Sequence, residues 1–112
     1  MSEYLLVDQR KKMEILSYIP SSDSLEKLSC LFQNFSDATR LKIISCLTIS
    51  DMCVSDLSQI LKINQTTVSH QLKILRDNKI VKYRRNGKIL LYSVSSKLIN
   101  DVLSEGVDLL EA

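Results

Sequence analysis

Only three residues, Lys62-Ile63-Asn64, separate two segments with helical apolar spacing, and so short a connection leaves the flanking helices few mutual arrangements. Before it, Val54, Leu57, Ile60 and Leu61 recur as one side of a short helix. After it, Val68, Leu72 and Leu75 stand at i, i+4 and i+7, so one face is apolar while Thr66, Ser69, His70 and Lys73 project from the other. This predicts a helix-turn-helix. Immediately downstream, the β-branched and aromatic runs 80–85 and 88–94 flank Asn86-Gly87, a dipeptide suited to two-residue hairpin turns whose central positions need positive φ. A β-hairpin is therefore expected to follow the second helix.

The flanks complete the outline. Leu25, Leu28, Leu31, Phe32 and Phe35 predict a helix over 24–35, with Ser22 or Asp23 as its N-cap. Ser36-Asp37 offers the next cap, and Leu41, Ile43, Ile44 and Leu47 make a helix that stops near Ser50. A last helix, capped by Ser95 or Ser96, runs to about Leu110 with its apolar residues spread over half its circumference. Packing on its own domain needs a stripe of only roughly 100°. Leu98, Val102 and Leu109 are thus expected to cover a second surface, a dimer interface. Residues 1–22, with the apolar patch Tyr4–Val7, the basic run Arg10-Lys11-Lys12 and Pro20, read as an N-terminal extension holding a short helix and a connector, ahead of one domain over 23–112. The fold class is mainly α with a β-hairpin.

Charge points to a partner. From Lys62 to Lys97 there are nine basic residues against the single acid Asp77, although the whole chain carries a net charge of only +2. A cationic segment on an otherwise acidic body suits phosphate-backbone binding, so double-stranded DNA is the expected partner. Asn64 opens the second helix, and Gln65, Thr66, Thr67, Ser69, His70 and Gln71 supply donors and acceptors for base edges. Lys73 and Arg76 would reach phosphates, and Arg84, Arg85 and Lys88 would form the cationic tip of the hairpin, a wing. No apolar stretch approaches the roughly 18 residues needed to cross a bilayer, so no membrane partner is expected. Three cysteines, an odd number, fit reduced thiols in a cytoplasmic protein better than a disulfide framework.

Taken together, Asp37-Ala38-Thr39-Arg40-Leu41-Lys42-Ile43, Asp51-Met52-Cys53-Val54-Ser55-Asp56-Leu57, Thr67-Val68-Ser69-His70-Gln71-Leu72-Lys73-Ile74-Leu75 and the Arg-Arg-Asn-Gly-Lys hairpin resemble the ArsR/SmtB family of bacterial repressors over about residues 24–111. The resemblance implies a winged helix-turn-helix, dimeric through its first and last helices, that represses an operon from an inverted-repeat operator and leaves DNA when an effector binds. Two departures bear on the effector. The family's metal-responsive members often read Cys-Val-Cys where this chain has Cys53-Val54-Ser55, and the acidic or histidine ligands of their last helices align with Ser96, Leu98, Leu109 and Ala112.

The cysteines keep both readings. Cys53 is either a small core residue beside Leu57 and Ile60 or a thiolate favoured by a helix N-terminus. Cys46 follows Lys42 by one turn, which favours a thiolate, and Cys30 lies on a polar face that a partner subunit would cover. A thiophilic metal or metalloid held by Cys53 with Cys30 or Cys46, thiol oxidation or persulfide formation, and a repressor with no small effector all stay open. A winged-helix module that binds only protein is the alternative, against which the segregated charge argues. An enzyme pairing Cys53 with His70 is disfavoured, because no Gly-rich loop accompanies them and the carboxylates are scattered.

Overall fold

The computed structural model describes residues 6–112, so Tyr4 and Leu5 of the apolar patch lie outside the described residues. In chain order come α1 (Gln9–Tyr18), α2 (Ser22–Gln33), α3 (Ala38–Ile49), α4 (Val54–Leu61), α5 (Gln65–Asp77), β1 (Val81–Asn86), β2 (Ile89–Val94) and α6 (Lys97–Glu111). They fall into two units, residues 1–30 and 31–112.

In the first unit, the Asp8 carboxylate accepts from the Lys11 amide at 2.7 Å and starts α1. The helix ends at Ile19, whose extended backbone is the one that the following Pro20 imposes. Met13, Ile15 and Leu16 on α1 are exposed. The cap of α2 is Ser21, whose Oγ accepts from the Ser24 amide at 3.1 Å, rather than Ser22 or Asp23. With that cap in place α2 begins two residues earlier than the apolar spacing suggests, and it ends at Gln33 instead of Phe35.

The second unit is built on one apolar cluster. Asp37 caps α3 by accepting from the Arg40 amide at 3.0 Å, and Ile43, Ile44 and Leu47 are buried beneath it. Leu57 of α4, Val68, Leu72 and Leu75 of α5, Ile80, Val81, Tyr92 and Ile99 complete the core. Ile60 does not join them and is 58% exposed, because the eight residues of α4 bury only Leu57, with Val54 and Leu61 half-buried beside it.

The tight connection works through Lys62. Its φ of 57° puts it in the left-handed region, which reverses the chain within a residue and lets the Ile63 amide reach back to the Ser58 carbonyl. Asn64 then caps α5, its side-chain oxygen accepting from the Thr67 amide at 2.8 Å.

Strands β1 and β2 pair antiparallel from Val81↔Val94 to Asn86↔Ile89. That register corrects the expected turn: Asn86 is the last strand residue, and Gly87-Lys88 make the loop. Gly87 has φ 64° while Lys88 is not in the positive region, the pattern of a type II′ turn with glycine first rather than the type I′ turn that Asn-Gly favours. The outer edge of β2 is engaged as well. The Met52 amide donates to the Tyr92 carbonyl at 3.1 Å, and the Tyr92 amide to the Met52 carbonyl at 2.8 Å. Ser96 caps α6, and along that helix only Ile99 is buried.

Candidate nucleic-acid interface

Burying Val68, Leu72 and Leu75 fixes which way α5 faces. Gln65, Thr66, Ser69, His70 and Lys73 are exposed on its other side, whereas Thr67 and Gln71 are half-buried. Gln71 turns its Oε1 into the protein, where that atom has no hydrogen-bond partner among the described residues, so it stands apart from the outward row. Gln65 leans toward α4, its Nε2 lying 3.4 Å from the Ser55 Oγ. Asn64 is exposed, but its side chain is committed to the cap. What remains is a row of short polar side chains over the first half of the helix, at its electropositive end.

The cations divide into engaged and available. The Arg76 guanidinium lies over the Tyr83 ring, 5.2 Å from its centroid, and the Tyr83 and Tyr92 rings are 5.6 Å apart. This stack ties the end of α5 to the hairpin, at a distance where a cation and an aromatic face attract. Arg84 departs from expectation more sharply: its Nη1 donates to Asp51 Oδ2 at 2.6 Å, an ion pair across 33 residues. Residues 84 and 85 of a strand point to opposite faces, so Arg84 leaves the tip toward Asp51 while Arg85 lies on the face of Tyr83. Lys73, Arg85 and Lys88 are exposed and form no ion pair among the described residues. Sequence reasoning passed over Asp51 as a functional residue, since nothing local links it to a strand so far along the chain.

The three cysteines occupy separate positions in the chain: Cys30 in α2, Cys46 in α3 and Cys53 just before α4. Cys53 precedes α4, where its amide and its Sγ both donate to Asp56 Oδ2, at 3.1 and 3.2 Å. The sulfur thus faces the Asp56 carboxylate across the first turn of α4. With Val54, Ser55, Ile89, Leu90 and Tyr92 it lines an open cavity of about 200 Å³ at the root of the hairpin. Cys46 is half-buried against the core, and burial pushes its thiol above the ordinary value, opposite to the effect expected from Lys42. Cys30 is exposed in the first unit. Among the described residues no three His, Cys, Asp or Glu side chains are grouped to hold a metal ion.

The raised Cys46 pKa fixes the sign of a pH effect on stability. A group whose value is higher folded than unfolded stabilises the fold below the unfolded value and loses that contribution as pH rises through the folded one. Urea stability is therefore expected to decline above the ordinary thiol range, and Cys46→Ala to flatten the decline. Equal slopes for the two proteins would show that the thiol stays accessible to water.

Helix α6 exposes apolar side chains along its length. Leu98, Leu109 and Leu110 of α6 are 69%, 77% and 86% exposed. Val102, Leu103, Gly106, Val107 and Leu110 line a cavity of about 290 Å³ together with Phe32, Phe35 and Leu41. No described helix is long and apolar enough to cross a membrane.

Comparison with known proteins follows the same outline. Residues 37–83, from the α3 cap into the first half of β1, match a family model described as bacterial regulatory protein, ArsR family. The transcriptional repressor SmtB homolog of Synechocystis is 32% identical over 106 residues, which cover 95% of this chain and 80% of that protein. The arsenical resistance operon repressor of Staphylococcus xylosus is 31% identical, covering 78% of this chain and 83% of its own length. Among solved structures, a homodimeric winged helix-turn-helix DNA-binding domain from Mycobacterium bovis superposes with a TM-score of 0.71 at 22% identity, covering 84% of this chain and 94% of that one.

Proposed function

Since this chain belongs to the ArsR family of bacterial regulatory proteins, we propose that it is a transcriptional repressor that binds double-stranded DNA as a homodimer in the cytoplasm. One observation carries this reading: a capped helix held by a three-residue turn presents a polar row beside a hairpin whose Arg85 and Lys88 are exposed. Gln65, Thr66, Ser69 and His70 read base edges, and Lys73, Arg85 and Lys88 contact phosphates. The exposed apolar face of α6 supports dimerisation through Leu98, Val102 and Leu109, as does the homodimeric state of the Mycobacterium bovis domain. A twofold dimer would meet half-sites about 34–36 Å apart, hence an inverted repeat. The family consists of regulators, and no catalytic role is assigned to any residue. For an effector, a thiol-directed agent fits best, because a group added to Cys53 would press on Ile89, Leu90 and Tyr92 at the root of the wing.

The test is selection of binding sequences from random duplexes, followed by titration of variants. Gln65→Ala and Ser69→Ala should shift discrimination at particular base pairs by about 1–3 kcal/mol. Arg85→Ala should weaken all duplexes alike. Failure of the native protein to retain any duplex at moderate salt would overturn the proposal in favour of a protein-binding module.

A further inference from the structure

We propose that Asp51 is a specificity-determining residue that keeps Arg84 out of the phosphate contacts of the wing. The inference rests on reading α5 and the hairpin as the DNA-binding surface. Three observations carry it. The Arg84 guanidinium is held by the Asp51 carboxylate at 2.6 Å. Strand alternation sends Arg84 to the face opposite Arg85, so the two arginines cannot converge on one phosphate. The neighbouring Met52 is fixed to Tyr92 by two backbone hydrogen bonds, which hold the Asp51 segment beside β2 whatever the state of the ion pair.

The consequence concerns indiscriminate binding. Affinity for arbitrary DNA comes almost wholly from cation–phosphate contacts, each adding about 0.9 to the slope of log affinity against log salt. An arginine neutralised within the chain adds nothing to that slope. It still leaves the strand a long side chain that anchors the hairpin to the segment before α4. The tip of the wing thereby carries two available cations, Arg85 and Lys88, where the sequence offers three, and binds random DNA less well relative to its operator.

The experiment measures binding of a random-sequence duplex across a salt series for the native chain, Arg84→Ala, Arg85→Ala, Asp51→Asn and the double variant Asp51→Asn/Arg84→Ala, with thermal melting to verify folding. Arg84→Ala should run parallel to the native line, whereas Arg85→Ala should lose about 0.9 in slope. Asp51→Asn should gain up to about 0.9, equivalent to a roughly 3.5-fold larger change in affinity between about 50 and 200 mM salt. The double variant should return to the native slope. A loss of slope in Arg84→Ala matching that of Arg85→Ala would overturn the inference. So would an Asp51→Asn line parallel to the native one, or a gain that persists in the double variant and thus needs no Arg84. If the native chain binds no duplex, it is the DNA-binding reading itself that fails.

Discussion

Replacing Leu72 by alanine is expected to lower the unfolding free energy by about 3 kcal/mol, within the roughly 2–5 kcal/mol range for a leucine removed from a packed interior. Leu72 is fully buried, on the inward face of α5 between Val68 and Leu75. A domain of this size has only about 5–15 kcal/mol in hand, so the melting temperature should fall by more than about 10 °C. The adjacent residue provides the contrast. Lys73→Ala lies on the exposed face and should stay within about 0.5 kcal/mol of the native stability. Urea titrations of both variants check the point. A Leu72→Ala cost below about 1 kcal/mol would mean that α5 is not anchored by that face, and its outward row would lose its fixed direction.

The second large effect belongs to the other end of the chain. Leu109→Asp places a charge on a side chain that is 77% exposed, so the fold of a single chain should tolerate it. A charge buried without a partner in a subunit interface is costly, and the homodimer proposed above should dissociate. Two tethered recognition helices bind paired half-sites as one unit, and loss of the tether removes a factor of about 10² to 10⁴. The variant should therefore sediment as a monomer and bind an inverted repeat at least about 100-fold more weakly. On a duplex with one half-site it should match the native chain. A Leu109→Asp protein that stays dimeric with operator affinity intact would move the interface elsewhere.

The sequence discloses what local chemistry decides. Asp37, Asn64 and Ser96 cap their helices as their side chains suggest, and the i, i+4, i+7 spacing identifies Val68, Leu72 and Leu75 as the buried face of α5. It is less informative where distant parts meet. Asn86-Gly87 marks the hairpin but not its register, which depends on cross-strand pairs such as Tyr83↔Tyr92 and shifts the turn by one residue. Lys42 is visible one turn before Cys46, whereas the packing that desolvates the thiol is assembled from other helices. Arg84 and Arg85 look equivalent in a basic run. Strand geometry separates them, and only the tertiary fold brings up the carboxylate that takes one of the pair.

The two backbone hydrogen bonds between Met52 and Tyr92 also bear on how this chain behaves at high concentration. A two-stranded ribbon offers two rows of unsatisfied amides and carbonyls, each a template for a neighbouring molecule to extend. Met52 occupies the outer row of β2 at its middle, where a foreign strand would have to begin. Strand β1 carries the exposed cations Lys82 and Arg85, and like charges brought edge to edge repel. One rim is thus closed by the chain's own backbone and the other guarded by charge, so the hairpin can stand out from the body without seeding fibrillar aggregates.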